Sequence, residues 1–584
     1  MGRGKRKSAA HVSARTTSHD NIRAHLRALG LRAYEVGGCV RDELAGRADA
    51  AKDVDVAVCG LTYDELATAL EKHGFVEPNI VGGGKLGLRL WRDGKSELVK
   101  PKKGEIYRHF YRRLFKLGRV EPEVYDGEGR LVGCRLHAPW APAEGIEISL
   151  ARTERSTVPG RANFVVETNP EIAIEEDLAR RDFTVNAIAR DLQTGELIDP
   201  FNGTSDLKNG ILRVIGPESF SEDPSRIIRG LVRVAKDGLT PDVGTLEQMR
   251  THAAALSSEP TEQIWLDLEK LLSGRDAARA LRIARDTGVL TQPSVFPELA
   301  DIVGFEQNSR YHDLPADEHS FTVLDTACRG EQSLAVRLAA LLHDSAKAEV
   351  SWLEESDDTH LRYYNAWSSK KDATVECPRC RRLVMLHRDG SRELVSGEKP
   401  CDHCGNAGFA RDHAELGAAR AREALKRFKQ PPAALINKVE LLSREHMYRD
   451  DEKGTPLAAR RFIRRVGRDN VEELLALRRA DRGAKDKNGL SPEDGTKLRS
   501  WEETVRKEMT ASLYVKELAI TGHDVMRFGF EGPAVGATLN DILAGVIAEP
   551  EANEHIRLLT WVARRAIKAG LITDEQSEAL LEEG

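Results

Sequence analysis

Long hydrophobic runs are missing from this sequence. No apolar stretch reaches the roughly 18 residues that cross a bilayer, and the first residues lack the apolar core of a secretory signal. Aromatic residues are scarce at 5%, whereas charged residues make up 31% of the 584 residues. We therefore expect a protein without a membrane segment, located in the cytoplasm, whose length requires several domains.

Cysteine is also scarce, with eight residues in the chain, and this argues against a disulfide framework. Four cysteines form two CxxC pairs, Cys377 with Cys380 and Cys401 with Cys404. The pairs are about twenty residues apart, a spacing typical of a zinc ribbon. Because four thiolates complete a tetrahedral site, we expect a structural Zn²⁺ with no open coordination position.

Positive charge is not in excess either. The net charge of −6 argues against a protein that coats nucleic acid non-specifically, but a local basic track remains compatible with RNA binding. Residues 1–19 are basic, small and polar, and we expect a disordered tail there. A stripe of four arginines suits either a phosphate track or a solvated helix face. These arginines are Arg460, Arg461, Arg464 and Arg465.

The apolar pattern changes near residue 200. Before that point it predicts an α/β domain with strands at 33–36, 54–58 and 146–150. The segment 94–143 interrupts this domain, and its basic-aromatic helix Tyr107–Arg119 could either pack on the domain or clamp RNA. After residue 200 the period is helical almost to the end, so we expect an α/β head followed by a mostly α-helical remainder.

A glycine turn and a pair of carboxylates form the most informative motif. Gly37 and Gly38 permit a tight turn and close approach to phosphate, and the helix carrying Arg41 would begin there with its positive end towards an anion. Asp53 and Asp55 lie two residues apart on a predicted strand and therefore face the same side. Such a pair can hold two Mg²⁺ ions, which activate a 3′-hydroxyl and stabilise leaving pyrophosphate.

A third carboxylate would complete this metal site. Glu147, on the predicted strand 146–150, is the candidate, although an ordinary surface position on the strand explains it equally well.

Two further groups suit a nucleotide. Arg180, Arg181, Asp182 and Asn186 lie in one segment, where arginine suits a triphosphate and asparagine a ribose hydroxyl. The alternative is a surface helix with salt bridges. Asp223 and Arg226, three residues apart at a predicted helix start, could bond the edges of both cytosine and adenine. Taken alone, they would be an ion pair within one helix.

These segments resemble one family. GGCVRDELAG followed by DVDVAV resembles the first motif of the class II tRNA nucleotidyltransferase and bacterial poly(A) polymerase family. RRDFTVNA and SEDPSRIIRGLVRVAK resemble its next signature and its base-selecting motif. Glu262-Gln263 departs from the family's Glu-Arg. The resemblance implies that Asp223 and Arg226 replace a nucleic-acid template, with Arg229 of the same motif among the nucleotide-binding residues.

The resemblance also implies an activity: template-independent addition of CMP and AMP from CTP and ATP to the 3′ end of tRNA, with Mg²⁺ and release of pyrophosphate. A poly(A) polymerase of the same superfamily shares every motif. Enzymes that add only CC or only A are further alternatives. A phosphohydrolase acting on RNA ends, with an inactive head, is the alternative from another class.

A histidine-rich region resembles an HD domain. The adjacent His343 and Asp344 supply an imidazole and a carboxylate, and His319 and Asp481 would close the site. His413 and His446 are available for a second metal. The resemblance implies hydrolysis of phosphomonoesters or 2′,3′-cyclic phosphates with Ni²⁺ or Mn²⁺. Ser345 and Ala346 replace the usual Ile-Gly.

Together these patterns predict the domain order. The basic tail is followed by a nucleotidyltransferase head, a helical neck for base selection and RNA binding, an HD domain interrupted by the ribbon, a linker and a small C-terminal domain. The expected bounds are 20–200 for the head, 201–305 for the neck, 306–482 for the HD domain with the ribbon at 370–410, 483–512 for the linker and 513–584 for the last domain.

Overall fold

The structure is a computed structural model that describes most of the chain. The described residues are 27–28, 30–47, 55–71, 75–81, 84–91, 96–99, 120–125, 131–137, 146–156, 164–307, 313–355, 361–365, 373–376, 383–386, 392–394, 413–448, 454–484 and 489–582. Two compact units divide the chain, one made of Met1–Asp267 and Asp286–Ser294, the other of Leu268–Arg285 and Val295–Gly584. The chain crosses between the units three times, each time within the predicted neck 201–305.

The first unit contains both strands and helices. Its strands are β1 Arg32–Val36, β2 Asp55–Cys59, β3 Phe75–Val81, β4 Gly84–Trp91, β5 Ser96–Val99, β6 Val120–Tyr125, β7 Leu131–His137, β8 Ile146–Leu150, β9 Thr153–Ser156, β10 Phe164–Glu167, β11 Ala189–Asp191, β12 Leu197–Ile198, β13 Ile211–Leu212 and β14 Thr240–Pro241. Its helices are α1 Gly38–Leu44, α2 Tyr63–Glu71, α3 Ile174–Ala179, α4 Gly203–Lys208, α5 Ser219–Glu222, α6 Ser225–Asp237 and α7 Val243–His252.

A seven-stranded sheet organises this unit, in the order β12-β11-β1-β2-β8-β4-β3. β1 pairs antiparallel with β2, and β2 pairs parallel with β8. The central strands are apolar on both faces because residues on both sides of the sheet are buried: Val56 and Val58 contact one core cluster and Ala57 and Cys59 another. The strands predicted at 33–36, 54–58 and 146–150 are therefore confirmed, within one residue at their ends.

Strands β5, β6 and β7 form a separate three-stranded sheet, in the order β5-β7-β6. They lie in the predicted insertion 94–143, which therefore contains a small sheet of its own. The predicted helix Tyr107–Arg119 lies outside the described residues.

The second unit is mostly helical. Helices α8 Thr261–Leu272 and α9 Ala277–Asp286 contain the first two crossing points. They are followed by α10 Ala316–Arg329, α11 Leu334–Leu342, α12 Lys347–Val350, α13 His413–Arg427, α14 Ala433–Glu445, α15 Pro456–Val466, α16 Arg468–Gly483, α17 Pro492–Lys507, α18 Gly522–Arg527, α19 Pro533–Ala548, α20 His555–Lys568 and α21 Asp574–Glu582. Short 3₁₀ helices occur at Thr184–Asn186, Ala253–Ser258, Pro297–Ile302, Glu508–Thr510, Val515–Glu517 and Pro550–Ala552. In the described part, no helix is both long and apolar enough to cross a membrane.

Two segments differ from the sequence prediction. Five strands lie in the part of the chain where a mostly helical structure was expected: β15 Ser351–Glu355, β16 Leu361–Asn365, β17 Ala373–Glu376, β18 Leu383–Leu386 and β19 Arg392–Leu394. The segment 483–512, expected as a linker, contains α17. Leu498, Trp501 and Val505 of this helix are buried and stand at helical spacing. The many polar residues between them make this pattern hard to see in the sequence.

The four arginines of the stripe differ in burial. Arg460 is buried, and its guanidinium donates to the Ile547 carbonyl at 2.6 Å and to Glu508 at 2.8 Å. Arg461, Arg464 and Arg465 are exposed. Arg460 therefore belongs to the packing of the helices and is not available for a phosphate track, because its donors already have buried acceptors.

Candidate functional site

The turn between β1 and α1 is built on glycine. Gly37 has φ 74° and ψ −127°, a conformation that residues with a side chain rarely adopt. A Cβ on Gly37 would also lie 2.8 Å from Nη1 of Arg181, so this arginine packs directly over the turn. The neighbouring Cys39 is buried, and burial raises the pKa of its thiol to about 11. The turn can therefore accept an anion beside a guanidinium, and Cys39 is no nucleophile.

Arg41 connects this turn to the segment after α3. Its Nη1 donates to Oδ1 of Asn186 at 2.5 Å, and Nδ2 of Asn186 donates to Oδ1 of Asp182 at 2.8 Å. These residues are 145 positions apart at the first contact, and the fold joins them as the sequence motifs suggested. The spacing of four residues between Asp182 and Asn186 would place both on one face of an α-helix, but residues Thr184–Asn186 form a short 3₁₀ helix instead.

Asp177 holds the two arginines that follow α3, a role that the sequence analysis missed. Oδ1 accepts from Nη2 of Arg180 at 2.7 Å and Oδ2 from Nη2 of Arg181 at 3.0 Å. Burial would raise the pKa of Asp177, but the two guanidiniums lower it below its usual value. The spacing of three and four residues in EEDLARR was the available signal.

Asp223 and Arg226 lie at the start of α6, where the sequence placed them. Their own contact is long, at 3.8 Å between Nε of Arg226 and Oδ2 of Asp223. Arg226 donates to Oγ of Ser219 at 2.8 Å and to the Arg180 carbonyl at 2.9 Å. Arg229, in contrast, contacts Oδ2 of Asp223 at 2.6 Å. The predicted pair is therefore a network in which Arg229 is the closer partner of the carboxylate.

The buried charges of this network balance one another. Burial raises the pKa of Asp182, but the charge of Arg229 and the amide of Asn186 bring it below the usual value. Burial lowers the pKa of Arg226, and its Nε has no hydrogen-bond partner among the described residues. A polar ligand that enters here would meet a donor already stripped of water.

Two of the predicted metal-binding carboxylates, Asp55 and Glu147, occupy paired positions on neighbouring strands of the sheet. Asp55 is the first residue of β2, is exposed, and has Glu147 of β8 as its register partner. Asp53 lies outside the described residues. The register supports Glu147 as a neighbour of Asp55, because paired residues of adjacent strands lie on the same face.

Six buried residues converge in the second unit, which we call the histidine cluster. They are His319, His343, Asp344, His413, His446 and Asp481. Nε2 of His319 lies 3.1 Å from Oδ1 of Asp481 and 3.6 Å from Oδ2 of Asp344. Nε2 of His343 lies 3.3 Å from Oδ2 of Asp344. The four residues that the sequence assigned to one site therefore meet.

The other two histidines approach the opposite oxygen of Asp344. Nε2 of His413 lies 3.5 Å and Nε2 of His446 lies 3.8 Å from Oδ1. Asp344 thus belongs to two groups of potential ligands, one with His319 and His343 and one with His413 and His446. Lys347, which the sequence analysis missed, contacts Oδ2 of Asp344 at 2.9 Å.

Backbone carbonyls orient the imidazoles. Nδ1 of His343 lies 2.9 Å from the Ala340 carbonyl, and Nδ1 of His446 lies 2.7 Å from the Ser443 carbonyl. Because a carbonyl only accepts, Nδ1 carries the hydrogen and Nε2 presents a lone pair. A lone pair that faces a carboxylate needs a proton or a metal cation between the two atoms, and Nε2 of His343 has no hydrogen-bond partner in the described part. Against the effect of burial, Asp344 raises the pKa of His343, so in the absence of a metal a proton fills this position. The donor set therefore fits a metal ion.

The four cysteines of the CxxC pairs lie outside the described residues. Strands on either side of the first pair are described: β17 ends at Glu376, β18 begins at Leu383, and these two residues are register partners.

Comparisons with known proteins agree with this geometry. Residues 120–213 match the poly(A) polymerase head domain, and residues 238–303 match a probable RNA- and SrmB-binding site of polymerase A. The multifunctional CCA protein of Xanthomonas euvesicatoria is 41% identical over 237 residues, which are 39% of this chain and 56% of that protein. The chain thus spans about half the length of the curated relatives that it matches.

Solved structures show a similar fold over nearly the whole chain. The CCA-adding enzyme of Bacillus stearothermophilus in complex with CTP has a TM-score of 0.52 at 19% identity, covering 93% of this chain and 98% of that one. The Thermotoga maritima CCA-adding enzyme complexed with tRNA has a TM-score of 0.50 at 17% identity, with 92% and 94% covered. By these matches the chain is similar to poly(A) polymerases over residues 120–213 and 238–303 and to multifunctional CCA proteins over about two fifths of its length, and its fold is similar to that of CCA-adding enzymes.

Proposed function

We propose that this protein adds CMP and AMP from CTP and ATP to the 3′ end of tRNA and releases pyrophosphate. The observation that carries the proposal is the single connected network in the first unit. It links the glycine turn, Arg41, Asn186, Asp182, Arg229 and Asp223. A nucleotide has a triphosphate, a ribose and a base edge, and the network offers groups suited to each. The relatives named for CCA activity support the same reaction.

The strand carboxylates suit the chemical step. Asp55 is exposed and is paired in register with Glu147 of the neighbouring strand, and Asp53 stands two residues before Asp55 in the sequence. Oxygen ligands of this kind are those that Mg²⁺ prefers. Mg²⁺ held there would activate the 3′-hydroxyl of the RNA and stabilise the leaving pyrophosphate.

The arginines would bind and orient the nucleotide. Arg181 packs over Gly37, so its guanidinium lies where a phosphate at the turn would need a partner. Asp223 and Arg226 would read the base, one offering acceptors and the other donors. Arg229 would keep the Asp223 carboxylate oriented through their 2.6 Å contact. Base choice would then come from protein groups without a nucleic-acid template.

One assay separates this function from its alternatives. A tRNA ending at the discriminator base is incubated with CTP, ATP or both, and the products are sized on a gel. We expect a short CC extension with CTP alone and a complete CCA end that then stops with both. Long A ladders with ATP alone on unstructured RNA would identify a poly(A) polymerase. Products limited to CC, or A added only to a CC end, would identify a partial enzyme.

The histidine cluster supports a second activity. We infer that this HD site, with ligands His319, His343, Asp344 and Asp481, binds a transition metal such as Ni²⁺ or Mn²⁺ and hydrolyses 2′,3′-cyclic phosphates. His413 and His446 would hold a second ion through the other oxygen of Asp344. The metal would polarise a phosphoryl oxygen and lower the pKa of bound water. Opening a cyclic phosphate would repair RNA ends that cannot accept a nucleotide.

The presence of Ser345 and Ala346 in place of the usual Ile-Gly is compatible with this site. Ala346 is fully buried, and the Asp344 carboxylate remains in reach of both pairs of histidines. Metal titration against a 2′,3′-cyclic nucleotide tests the inference. Hydrolysis no greater than in an Asp344→Ala variant, with any metal, would reduce the cluster to a structural role.

We also propose a zinc ribbon at Cys377, Cys380, Cys401 and Cys404. The first CxxC pair lies between two strands whose ends are in register, at Glu376 and Leu383, the placement of a cysteine knuckle. We propose the same domain order as above, with the head at 20–200, the neck at 201–305, the HD domain at 306–482 and the C-terminal domain at 513–584. The segment 483–512 is not a linker, because α17 within it has buried side chains.

A further inference from the structure

One face of α6 carries a row of charged side chains. Arg226, Arg229, Arg233 and Asp237 follow one another at spacings of three and four residues, so they lie along one side of the helix. The first two belong to the nucleotide network. Arg233 and Asp237, at the other end of the helix, have no part in the function proposed so far.

Asp237 joins this end of α6 to the helix that follows the glycine turn. Its Oδ2 accepts from Nη1 of Arg233 at 2.9 Å and lies 3.8 Å from Nε of Arg41. Its Oδ1 accepts from Nη2 of Arg47 at 3.1 Å. Asp42 contacts Arg47 as well, at 3.2 Å. One carboxylate therefore holds three guanidiniums, one of which also binds Asn186.

The charges make this contact strong. The Asp237 side chain is 7% exposed and that of Arg41 is 8% exposed. Burial lowers the pKa of Arg233, the nearby charge of Arg41 lowers it further, and Asp237 opposes both effects. Arg41 also binds Asp42 at 3.0 Å, so it keeps a carboxylate partner without Asp237. Arg233 would lose its 2.9 Å partner, the repulsion between Arg41 and Arg233 in a poorly hydrated site would be less opposed, and the two helix ends would shift apart.

The middle of α6 also packs closely against neighbouring side chains. A Cβ on Gly230 would lie 2.8 Å from Cζ of Phe183 and 3.2 Å from Cε of Met249, so the helix rests on Phe183, next to Asp182. With this contact in the middle and Asp237 at the end, α6 transmits a shift at Asp237 to Asp223 and Arg226 at its start.

We propose that Asp237 is a positioning residue that sets nucleotide selection by fixing the base-reading end of α6 relative to the glycine turn. The inference rests on the proposed nucleotide-adding function. Asp237 acts through Arg41 and through α6 and does not touch the nucleotide. A displacement of about 1 Å in such a supporting element can cost on the order of 100-fold in rate.

The test compares variants of the full-length protein. Asp237→Asn keeps the size and removes the charge, and Asp237→Glu keeps the charge. Arg47→Gln removes one partner whose side chain is 37% exposed, so that its loss has little effect on folding. Asp242→Asn is the control, because Asp242 also forms an ion pair with an arginine of the same unit, Arg213, but no described contact joins it to the Asp237 group. Incorporation of CMP, AMP, UMP and GMP is measured on tRNA, with kcat and KM separated.

We expect Asp237→Asn to lower kcat/KM for CTP and ATP by about 10- to 100-fold and to increase UMP misincorporation relative to CMP. Arg47→Gln should shift the ratio in the same direction by less, Asp237→Glu should restore part of it, and Asp242→Asn should leave it unchanged. A lower thermal midpoint in Asp237→Asn with an unaltered ratio among the four nucleotides, repeated in Arg47→Gln, would overturn the proposal. A wild-type protein that adds no nucleotide to tRNA would instead refute the proposed function itself.

Discussion

The two candidate sites are built on opposite principles. In the first unit, guanidiniums surround carboxylates, and several side chains remain partly open, such as Arg181 at 17% and Arg229 at 32%. In the histidine cluster, every ligand side chain is at most 6% exposed. A large anionic nucleotide needs an open site with positive charge, whereas a metal ion needs a closed set of lone pairs. The exposure and charge of the first site suit a nucleotide, and the buried imidazoles and carboxylates of the second suit a metal ion.

Protonation follows the same division. Guanidiniums lower the pKa of Asp177 and Asp182 against the effect of burial, so both stay charged in the first site. In the histidine cluster, burial and the neighbouring His343 and His413 lower the pKa of His446 to about 3. His446 is therefore neutral at ordinary pH and available as a ligand, since metal binding requires the deprotonated imidazole.

The largest effect is expected from replacing Asp55 or Asp53, which should abolish nucleotide addition and leave the activity of the histidine cluster unchanged. Asp55→Ala, or Asp53→Ala, should lower CMP and AMP incorporation at least about a thousandfold, because metal positioning supplies several kcal/mol of transition-state stabilisation. Binding of tRNA and hydrolysis of 2′,3′-cyclic nucleotides should stay near wild type. Asp64→Ala, on the exposed side of α2, is the control. Turnover within about tenfold of wild type in either strand variant would move the metal site elsewhere.

The reciprocal variant tests the histidine cluster. Asp344→Ala removes the carboxylate shared by both ligand groups, so metal content and cyclic-phosphate hydrolysis should both fall to background. Incorporation of CMP and AMP should persist. Asp325→Ala is the matched control, because Asp325 pairs with the exposed Arg329 on α10. Equal loss of both activities would show that the two sites do not act independently.

A smaller effect concerns base choice in the first site. Arg226→Ala should cost about 1–3 kcal/mol of discrimination, by analogy with bidentate base contacts, and should admit UTP or GTP. Competition between labelled nucleotides on the same tRNA measures this ratio. Equal slowing for all four nucleotides would contradict a templating role and leave Arg226 as a support for Ser219 and the Arg180 carbonyl.

The smallest effect on nucleotide addition should come from the cysteines. Purified protein should contain about one Zn²⁺ per chain, because closed thiolate sites bind tightly. Cys377→Ser should lose this zinc and keep most CMP and AMP incorporation. Cys328→Ser, which changes a buried cysteine of α10, controls for thiol loss alone. Metal analysis without zinc, in protein prepared without chelators, would remove the ribbon.

Several elements were predictable because their cause is local. The strands at 33–36, 54–58 and 146–150 follow from short apolar runs, and the helix that carries Arg226 follows from its own apolar period. Helix α17 was missed because only Leu498, Trp501 and Val505 face the core among polar neighbours. Asp177 and Lys347 were missed because a charged residue near a motif has no signature until its partner is known.

The sequence by itself determined the residue types and the turn that chemistry requires: glycine at a positive φ, arginines beside it, and histidines with an aspartate neighbour. Only the tertiary structure decided which of them meet. The register that pairs Asp55 with Glu147, the contact of Arg41 with Asn186, and the approach of His319 to Asp481 across 162 residues depend on how distant segments pack. Packing is set by the shape of the whole core, and no short stretch of sequence contains that information.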